Sequence, residues 1–76
     1  MKEILQTIIE NLVDNPNAVE IKQTDETNSV LFEVKVAESD MGKVIGKQGK
    51  TAKSIRTVMK AVAAREHKRI NVEFID

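Results

Sequence analysis

The stretch GKVIGKQGKT, residues 42–51, decides the fold of this chain. It holds all three glycines of the sequence and three of its lysines, between a short apolar segment and a long segment with helical periodicity. It predicts a helix that ends at Gly46, a turn through Lys47 and Gln48, and a second helix from about Lys50. Such a turn presents backbone N–H groups and a helix N-terminus, which together favour an anion such as a phosphate.

The hydrophobic pattern on either side of this stretch predicts the remaining elements. Apolar residues at three- and four-residue intervals predict helices, and alternating apolar and polar residues predict strands. The predicted helices span residues 2–14, 41–45 and 50–66, and the predicted strands span residues 18–24, 30–36 and 70–74. The only proline, Pro16, ends the first helix, and Glu38-Ser39-Asp40 offers an N-cap to the second.

This order, α-β-β-α-α-β, predicts an α+β fold in which helices cover one face of a three-stranded mixed sheet. A chain of 76 residues has room for one domain, which we expect to span residues 1–76. Domains of this size without cysteines have marginal stability, so self-association is a reasonable expectation. The amphipathic, acid-containing N-terminus is unlike a signal peptide, and no apolar run reaches the length of a membrane span, so we expect a cytoplasmic protein with no membrane partner.

The charges are distributed unevenly, although the net charge is zero. Residues 1–40 carry three basic and nine acidic side chains, whereas residues 41–76 carry nine basic and three acidic ones. Between Met41 and Val72 the only acidic residue is Glu66. Because exposed helices usually mix both signs, a nearly all-basic segment indicates an anionic partner.

Catalytic and nucleotide-hydrolysing functions have little support in the sequence. The end of the central stretch, Gly49-Lys50-Thr51, resembles a P-loop, but that motif requires a glycine where the chain has Val44. The only histidine, His67, has no nucleophile at a suggestive spacing and is better explained as a residue of a helix C-terminus. We therefore expect no enzymatic activity, no cofactor and no metal site.

The segment from Val44 to Ile55 resembles the core of a KH domain, V-I-G-x-x-G-x-x-x-x-I, and the element order is similar to the type II, bacterial arrangement. A single KH domain this small resembles the bacterial KhpA family. The resemblance implies that a Gly-x-x-Gly loop and its two helices clamp the backbone of about four nucleotides of single-stranded RNA. It also implies self-association, a larger KhpB-like partner with its own KH domain, and a role as an RNA chaperone or post-transcriptional regulator.

The candidate site combines glycines that allow close approach to phosphate, basic side chains along the strand's path, and an apolar groove for bases. The predicted RNA-binding residues are Lys43, Ile45, Gly46, Lys47, Gln48, Gly49, Lys50, Lys53, Ile55 and Arg56. Ile45 and Ile55 are equally well explained by core packing. With only Phe32 and Phe74 as aromatics, both at core-facing positions, platforms that stack bases on aromatic rings are disfavoured.

A protein–protein module is the alternative function. In that case the long helix buries Ile55 or Met59 against a second copy, and the glycine turn shapes the interface. Both functions are compatible with one chain, because a dimer through this helix can coexist with an RNA site.

Overall fold

The computed structural model describes residues 1–75 and confirms the α+β fold with the order α-β-β-α-α-β. The helices are α1 (Lys2–Leu12), α2 (Met41–Ile45) and α3 (Lys50–Arg65), and the strands are β1 (Glu20–Asp25), β2 (Ser29–Lys35) and β3 (Arg69–Ile75). Short 3₁₀ turns occupy Pro16–Ala18, Glu38–Asp40 and Lys47–Gly49. Among residues 1–75, none of the helices combines the length and the apolar character that a membrane crossing requires.

The three strands form one mixed sheet in the order β1-β2-β3. The β1–β2 hairpin is antiparallel, with Ile21 opposite Val34, and β2 pairs with β3 in parallel, with Phe32 opposite Val72. The parallel pairing follows from the connection, because α2 and α3 carry the chain back to the start of the sheet before β3 begins. β3 is therefore an edge strand that directly follows the longest helix.

The hydrophobic core lies between one face of the sheet and the helices. The central strand alternates strictly, so that Val30, Phe32 and Val34 are buried while the residues between them face the other side. Leu5 and Ile9 of α1 close the same core and are fully buried. The other buried apolar residues are Val13, Val36, Val44, Ala52, Ile55, Met59, Ala63, Ile70 and Val72.

The ends of the predicted elements move by one or two residues. α1 stops at Leu12 because Val13 is extended, with φ −98° and ψ 157°, which carries its side chain into the core. α3 ends in a Schellman turn, in which the Lys68 N–H donates to the Ala63 carbonyl at 3.1 Å. The left-handed position of that turn is His67, with φ 57°, which agrees with its explanation as a residue of the helix C-terminus.

Candidate nucleic-acid interface

The GxxG loop, residues 46–49, joins α2 to α3 through a left-handed backbone. Gly46 has φ 77° and ψ 175°, Gln48 has φ 57° and ψ 28°, and Gly49 has φ 74° and ψ 10°. Two backbone hydrogen bonds fix the path: the Gly46 N–H donates to Gly42 at 2.8 Å and the Gly49 N–H donates to the Gly46 carbonyl at 3.2 Å. Three of the four loop residues thus have positive φ, which turns the chain sharply between two helices.

The two loop glycines are required for different reasons. The backbone of Gly46 lies in a region that only glycine adopts readily, and a Cβ there would also lie 2.6 Å from the Cβ and 2.8 Å from the backbone nitrogen of Thr51. Gly49 also has a positive φ, but within residues 1–75 no atom other than those of its own chain neighbours lies within 4 Å of its Cβ position. Gly46 therefore packs directly on the first turn of α3, whereas Gly49 supplies only the left-handed turn.

The residues between the glycines point into solvent beside an uncapped helix. Lys47 and Gln48 are exposed, and so are Lys50 and Lys53 on the first turn of α3. The N-cap position of α3 is Gly49, which has no side chain to bond the first N–H groups of the helix. Ammonium and amide donors thus gather at the positive end of a 16-residue helix, an arrangement suited to an anionic ligand.

A buried carboxylate anchors α2 to the end of α1. The Asp40 side chain, 1% exposed, accepts hydrogen bonds from the backbone N–H of Asp14 at 3.1 Å and of Asn15 at 3.0 Å, and from Nδ2 of Asn15 at 3.2 Å. Asp40 is the N-cap residue of α2, within the segment Glu38-Ser39-Asp40 that the sequence predicted for this position, but its side chain makes no capping hydrogen bond because these donors occupy the carboxylate. Burial by itself raises the pKa of Asp40, but the donors from Asp14 and Asn15 and the nearby Lys43 together hold that pKa below its ordinary value of 3.8.

Lys43 takes part in this anchor, although its side chain is 43% exposed. Its ammonium group bonds the Asp14 carboxylate and lies 3.5 Å from the Asp40 carboxylate. The hydrogen bond with Asp14 raises the pKa of Lys43 above its ordinary value of 10.5. With two carboxylates as partners, Lys43 ties α2 to the end of α1, and its role in binding RNA stays a prediction.

The apolar residues singled out in the sequence have different environments. Ile55 is 4% exposed and Met59 is fully buried, so both are core residues of this chain. The suggestion that either one packs against a second copy is therefore wrong. Ile45 is half-buried and packs against the core from the last turn of α2, which leaves part of its side chain beside the loop.

Arg56 links α3 to the outer edge of β3. Its Nε donates to the Val72 carbonyl at 3.0 Å, and its guanidinium carbon lies 5.5 Å from the centre of the Phe74 ring. Phe74 is half-buried, so its ring packs on the core and also makes a cation–π contact with the guanidinium of Arg56. Arg56 thereby lines one wall of a groove between α3 and β3.

The structure therefore gathers Lys47, Gln48, Lys50 and Lys53 around the GxxG loop and places Arg56 farther along α3. Three further basic residues were not among the predicted RNA-binding residues, namely Lys60, Lys68 and Arg69. They line a cavity of about 420 Å³ where α3 meets the start of β3. The predicted order of α3 and β3 could have indicated that these residues lie close together. A strand that returns antiparallel to the preceding helix brings its first residues beside the last turns of that helix.

A loop of the form Gly-x-x-Gly between two helices, within the order α-β-β-α-α-β, is the arrangement of a type II KH domain. The KhpA/KhpB KH-domain family model matches residues 2–74, and the chain belongs to this family. Residues 46–49 are therefore the GxxG loop of a KH domain.

Relatives resemble the chain over nearly its whole length. The RNA-binding protein KhpA of Clostridium acetobutylicum is 53% identical over 75 residues, covering 99% of this chain and 100% of that protein. The RNA-binding protein KhpA of Chlamydia trachomatis is 43% identical over 76 residues, covering 100% of this chain and 97% of that protein. A crystal structure of Era in complex with MgGDPNP and nucleotides 1506–1542 of 16S ribosomal RNA has a TM-score of 0.63 at 18% identity, covering 95% of this chain and 28% of that one. This last likeness concerns the fold alone.

Proposed function

We propose that the protein binds single-stranded RNA by clamping about four nucleotides of its backbone at the GxxG loop. The observation that carries the proposal is the pair Lys47 and Gln48, which are exposed on a left-handed turn beside the uncapped N-terminus of α3. Family membership supports the same ligand, since the KhpA relatives are named as RNA-binding proteins. The protein then acts in the cytoplasm, by binding and without catalysis.

The proposed contacts have a consistent chemistry. Gly46 and Gly49 let a phosphate approach the backbone, Lys47 and Gln48 donate to its oxygens, and Lys50 extends the positive charge along the strand. Lys53 and Arg56 continue that charge along α3, and the exposed part of Ile45 borders the path of the bases. Ile55 supports this groove from the core below.

Readout of this kind favours the backbone over the base sequence, because the proposed contacts come from cations, amides and the loop backbone. Three or four phosphate contacts give a plot of log K against log [salt] with a slope of about −2 to −3. A protein with low sequence specificity and a short footprint suits a role as an RNA chaperone or post-transcriptional regulator.

The double substitution Lys47→Asp with Gln48→Asp tests the clamp. Losing one charge-assisted bond to phosphate costs about 1.5–3 kcal/mol, so affinity for single-stranded RNA should fall by about 10- to 150-fold. Aspartate is tolerated in the left-handed conformation of Gln48, so the melting temperature should not change. Fluorescence anisotropy with a labelled oligonucleotide measures the affinity.

The chain contains a matched control for this experiment. Lys22 and Gln23 form the same dipeptide on β1, where both are exposed. Lys22→Asp with Gln23→Asp makes the same change in charge at a distance from the loop, and it should leave RNA affinity within about threefold of the original value. Unchanged binding in the loop variant, or equal losses in both variants, would contradict the clamp.

Self-association through α1 and α3 is a second candidate function, compatible with the first. Ile4 is 44% exposed and Val58 is 46% exposed, and both line an apolar cavity of about 500 Å³ together with Ala61 and Val62. This surface, and not Ile55 or Met59, is the part of α3 available to a second copy or to a larger KhpB-like partner with its own KH domain. Light scattering over a concentration series should give a dimer mass that Val58→Asp reduces to a monomer; a strictly monomeric mass for the unsubstituted protein would exclude the homodimer.

A further inference from the structure

Asp40 is a buried charge that the proposed RNA contacts do not use. Among residues 1–75 it is the only polar or charged residue that is buried, with 1% of its surface exposed. Removing a carboxylate from water is costly, and an apolar residue of similar size in its place is often at least as stabilising. The geometry of its hydrogen bonds, more than their contribution to stability, is therefore the feature to explain.

Both oxygens of the Asp40 carboxylate are held by residues that follow α1. Oδ1 accepts the backbone N–H of Asp14 and lies 3.5 Å from the Lys43 ammonium group. Oδ2 accepts both the backbone N–H and the Nδ2 of Asn15. A carboxylate held at two oxygens cannot turn, so these bonds fix the direction of the Asp40 backbone as well as its position. We call the hydrogen bonds of Asp40 with Asp14 and Asn15 the α2 anchor.

The donors of the α2 anchor belong to a part of the domain that the core holds firmly. Leu5 and Ile9 of α1 are fully buried, and Val13, which directly precedes the donors, also packs in the core. The α2 anchor therefore ties Asp40, the residue before α2, to a fixed point at the end of α1.

The direction of α2 has little other support. With five residues, α2 is too short to be a stable helix without tertiary contacts. Its one buried side chain, Val44, lies near its C-terminal end, and Gly46 packs on α3 just beyond it. Met41 at the N-terminal end is only half-buried, so the α2 anchor is the contact that fixes this end in a defined direction.

We infer that Asp40 is a positioning residue for the GxxG loop, which through the α2 anchor holds α2 at the angle to α3 at which the loop binds RNA, without touching the RNA itself. This inference rests on the proposed RNA function and adds to it the end of α1, which lies outside the proposed contacts. Because α2 ends where the loop begins, a change in its direction changes the placement of Ile45 relative to Lys47. RNA then binds only the fraction of molecules with the correct direction, and the affinity falls in proportion to that fraction.

The experiment separates the direction of α2 from the stability of the domain. Asp40→Asn keeps the size of the side chain but replaces one acceptor oxygen with an amide group that faces the donors of the α2 anchor. Its control is Val30→Ala, which removes buried methyl groups at the opposite end of β2 from the connection to α2. Each protein is titrated with a labelled octamer of uridine at the same interval below its own melting temperature, which circular dichroism measures.

Asp40→Asn should bind the octamer about tenfold more weakly than the unsubstituted protein, as expected if α2 has the correct direction in about a tenth of the molecules. Val30→Ala should stay within about twofold. Loss of a negative charge by itself strengthens RNA binding, so weaker binding by Asp40→Asn cannot result from the change in charge. The slope of log K against log [salt] should be the same in all three proteins, because every proposed phosphate contact remains.

A double substitution tests whether Asn15 acts through the same anchor. Asn15→Ala removes one of the hydrogen bonds to Asp40 and should weaken RNA binding by about threefold. Asp40→Asn/Asn15→Ala should bind as weakly as Asp40→Asn alone, since the anchor can be broken only once. Losses that multiply in the double variant would contradict a shared anchor. If Asp40→Asn does not fold, Asn15→Ala takes its place against the same control.

Amide correlation spectra of the proteins without RNA give a readout that does not depend on binding. Asp40→Asn should shift the amides of residues 42–49, whereas Val30→Ala should shift amides of the sheet and leave residues 42–49 in place. Unmoved amides at residues 42–49 in Asp40→Asn would mean that α2 keeps its direction without the anchor, and the inference would be wrong.

The binding results distinguish failure of this inference from failure of the proposed function. Equal RNA affinities of Asp40→Asn and Val30→Ala would show that the anchor serves stability alone, which overturns the inference and leaves the proposed function intact. A smaller salt slope in Asp40→Asn would mean that a phosphate contact was lost, which also excludes a purely positioning role. An unsubstituted protein that binds no RNA would overturn the proposed function together with this inference.

Discussion

Alanine substitution of the three glycines tests whether the GxxG loop has the geometry described above. The glycines lie within eight positions of one another but differ in backbone conformation and in surroundings. Gly42 is helical and exposed, Gly49 is left-handed and open, and Gly46 is left-handed and packed against Thr51. The three substitutions should therefore change the free energy of unfolding by different amounts and not all in the same direction.

The expected magnitudes follow from each environment. Gly42→Ala should stabilise the protein by about 0.5–1 kcal/mol, because alanine favours a helix and, in the part of the chain that the structure describes, the new Cβ meets no atom within 4 Å outside its own helix and neighbours. Gly49→Ala should cost about 1 kcal/mol for a non-glycine residue in the left-handed region. Gly46→Ala should cost about 2–6 kcal/mol, the sum of about 1–3 for the backbone and about 1–3 for the overlap with Thr51.

The largest of these costs is comparable to the whole stability of the domain. A chain of 76 residues is expected to have a free energy of unfolding of about 4–11 kcal/mol. Gly46→Ala should therefore leave the protein marginally folded or unfolded at room temperature. Thr51→Ala in the same chain should recover part of the loss, because it removes the hydroxyl that the new Cβ meets.

Urea unfolding followed by far-ultraviolet circular dichroism measures these differences, since the chain has no tryptophan or tyrosine for a fluorescence assay. The midpoint should decrease in the order Gly42→Ala, unsubstituted protein, Gly49→Ala, Gly46→Ala. A Gly46→Ala variant as stable as Gly49→Ala would refute the close packing of Gly46 on α3.

Three further predictions concern the core, the anchor of α2 and the end of α3. Met59→Ala should lower the free energy of unfolding by about 2–5 kcal/mol, measured by urea unfolding, because Met59 is fully buried in this chain; a loss below 1 kcal/mol would contradict that placement. The depressed pKa of Asp40 gives a contribution to stability that is present above pH 3.8 and is lost as the pH falls further. Asp40→Asn should therefore be less stable than the unsubstituted protein near neutral pH, and its melting temperature should depend less on pH in the acid range. Parallel plots of melting temperature against pH for the two proteins would argue against the anchor. His67→Gly should raise the melting temperature by removing the cost of a left-handed histidine, a net gain of about 0.5–1 kcal/mol, and no gain would mean that the turn does not hold His67 at φ 57°.

The sequence was sufficient to predict the order of the elements and the place of the loop. Alternation along residues 30–36 predicted the central strand, and the glycines at positions 46 and 49 predicted the break between two helices. These are local signals, because they depend on the conformational preferences of neighbouring residues and on the spacing of apolar residues along the chain. They were enough to predict the fold class without any knowledge of tertiary contacts, and the structure confirms that class.

The parts that could not be predicted depend on contacts between distant segments. Asp40 belongs to a segment that the sequence predicts as a helix N-cap. The hydrogen bonds of its carboxylate could not be predicted, because their donors belong to residues 14 and 15, about 25 positions earlier. Lys43 looks like a free charge beside the loop until Asp14 is brought to it. The left-handed conformation of Gln48, with φ 57°, also has no signal in its residue type, because glutamine seldom adopts a positive φ.

The central claim is that RNA lies along the GxxG loop and α3, and its most direct test is a map of backbone amide shifts. Isotope-labelled protein is titrated with a single-stranded oligonucleotide and followed by amide correlation spectra. The largest shifts are expected at residues 46–53, with smaller shifts along α3 past Arg56 and none at Lys22, which lies on the open side of the sheet, the face opposite to the helices. Shifts concentrated on that open side, with the amides of Lys47 and Gln48 unmoved, would contradict the claim.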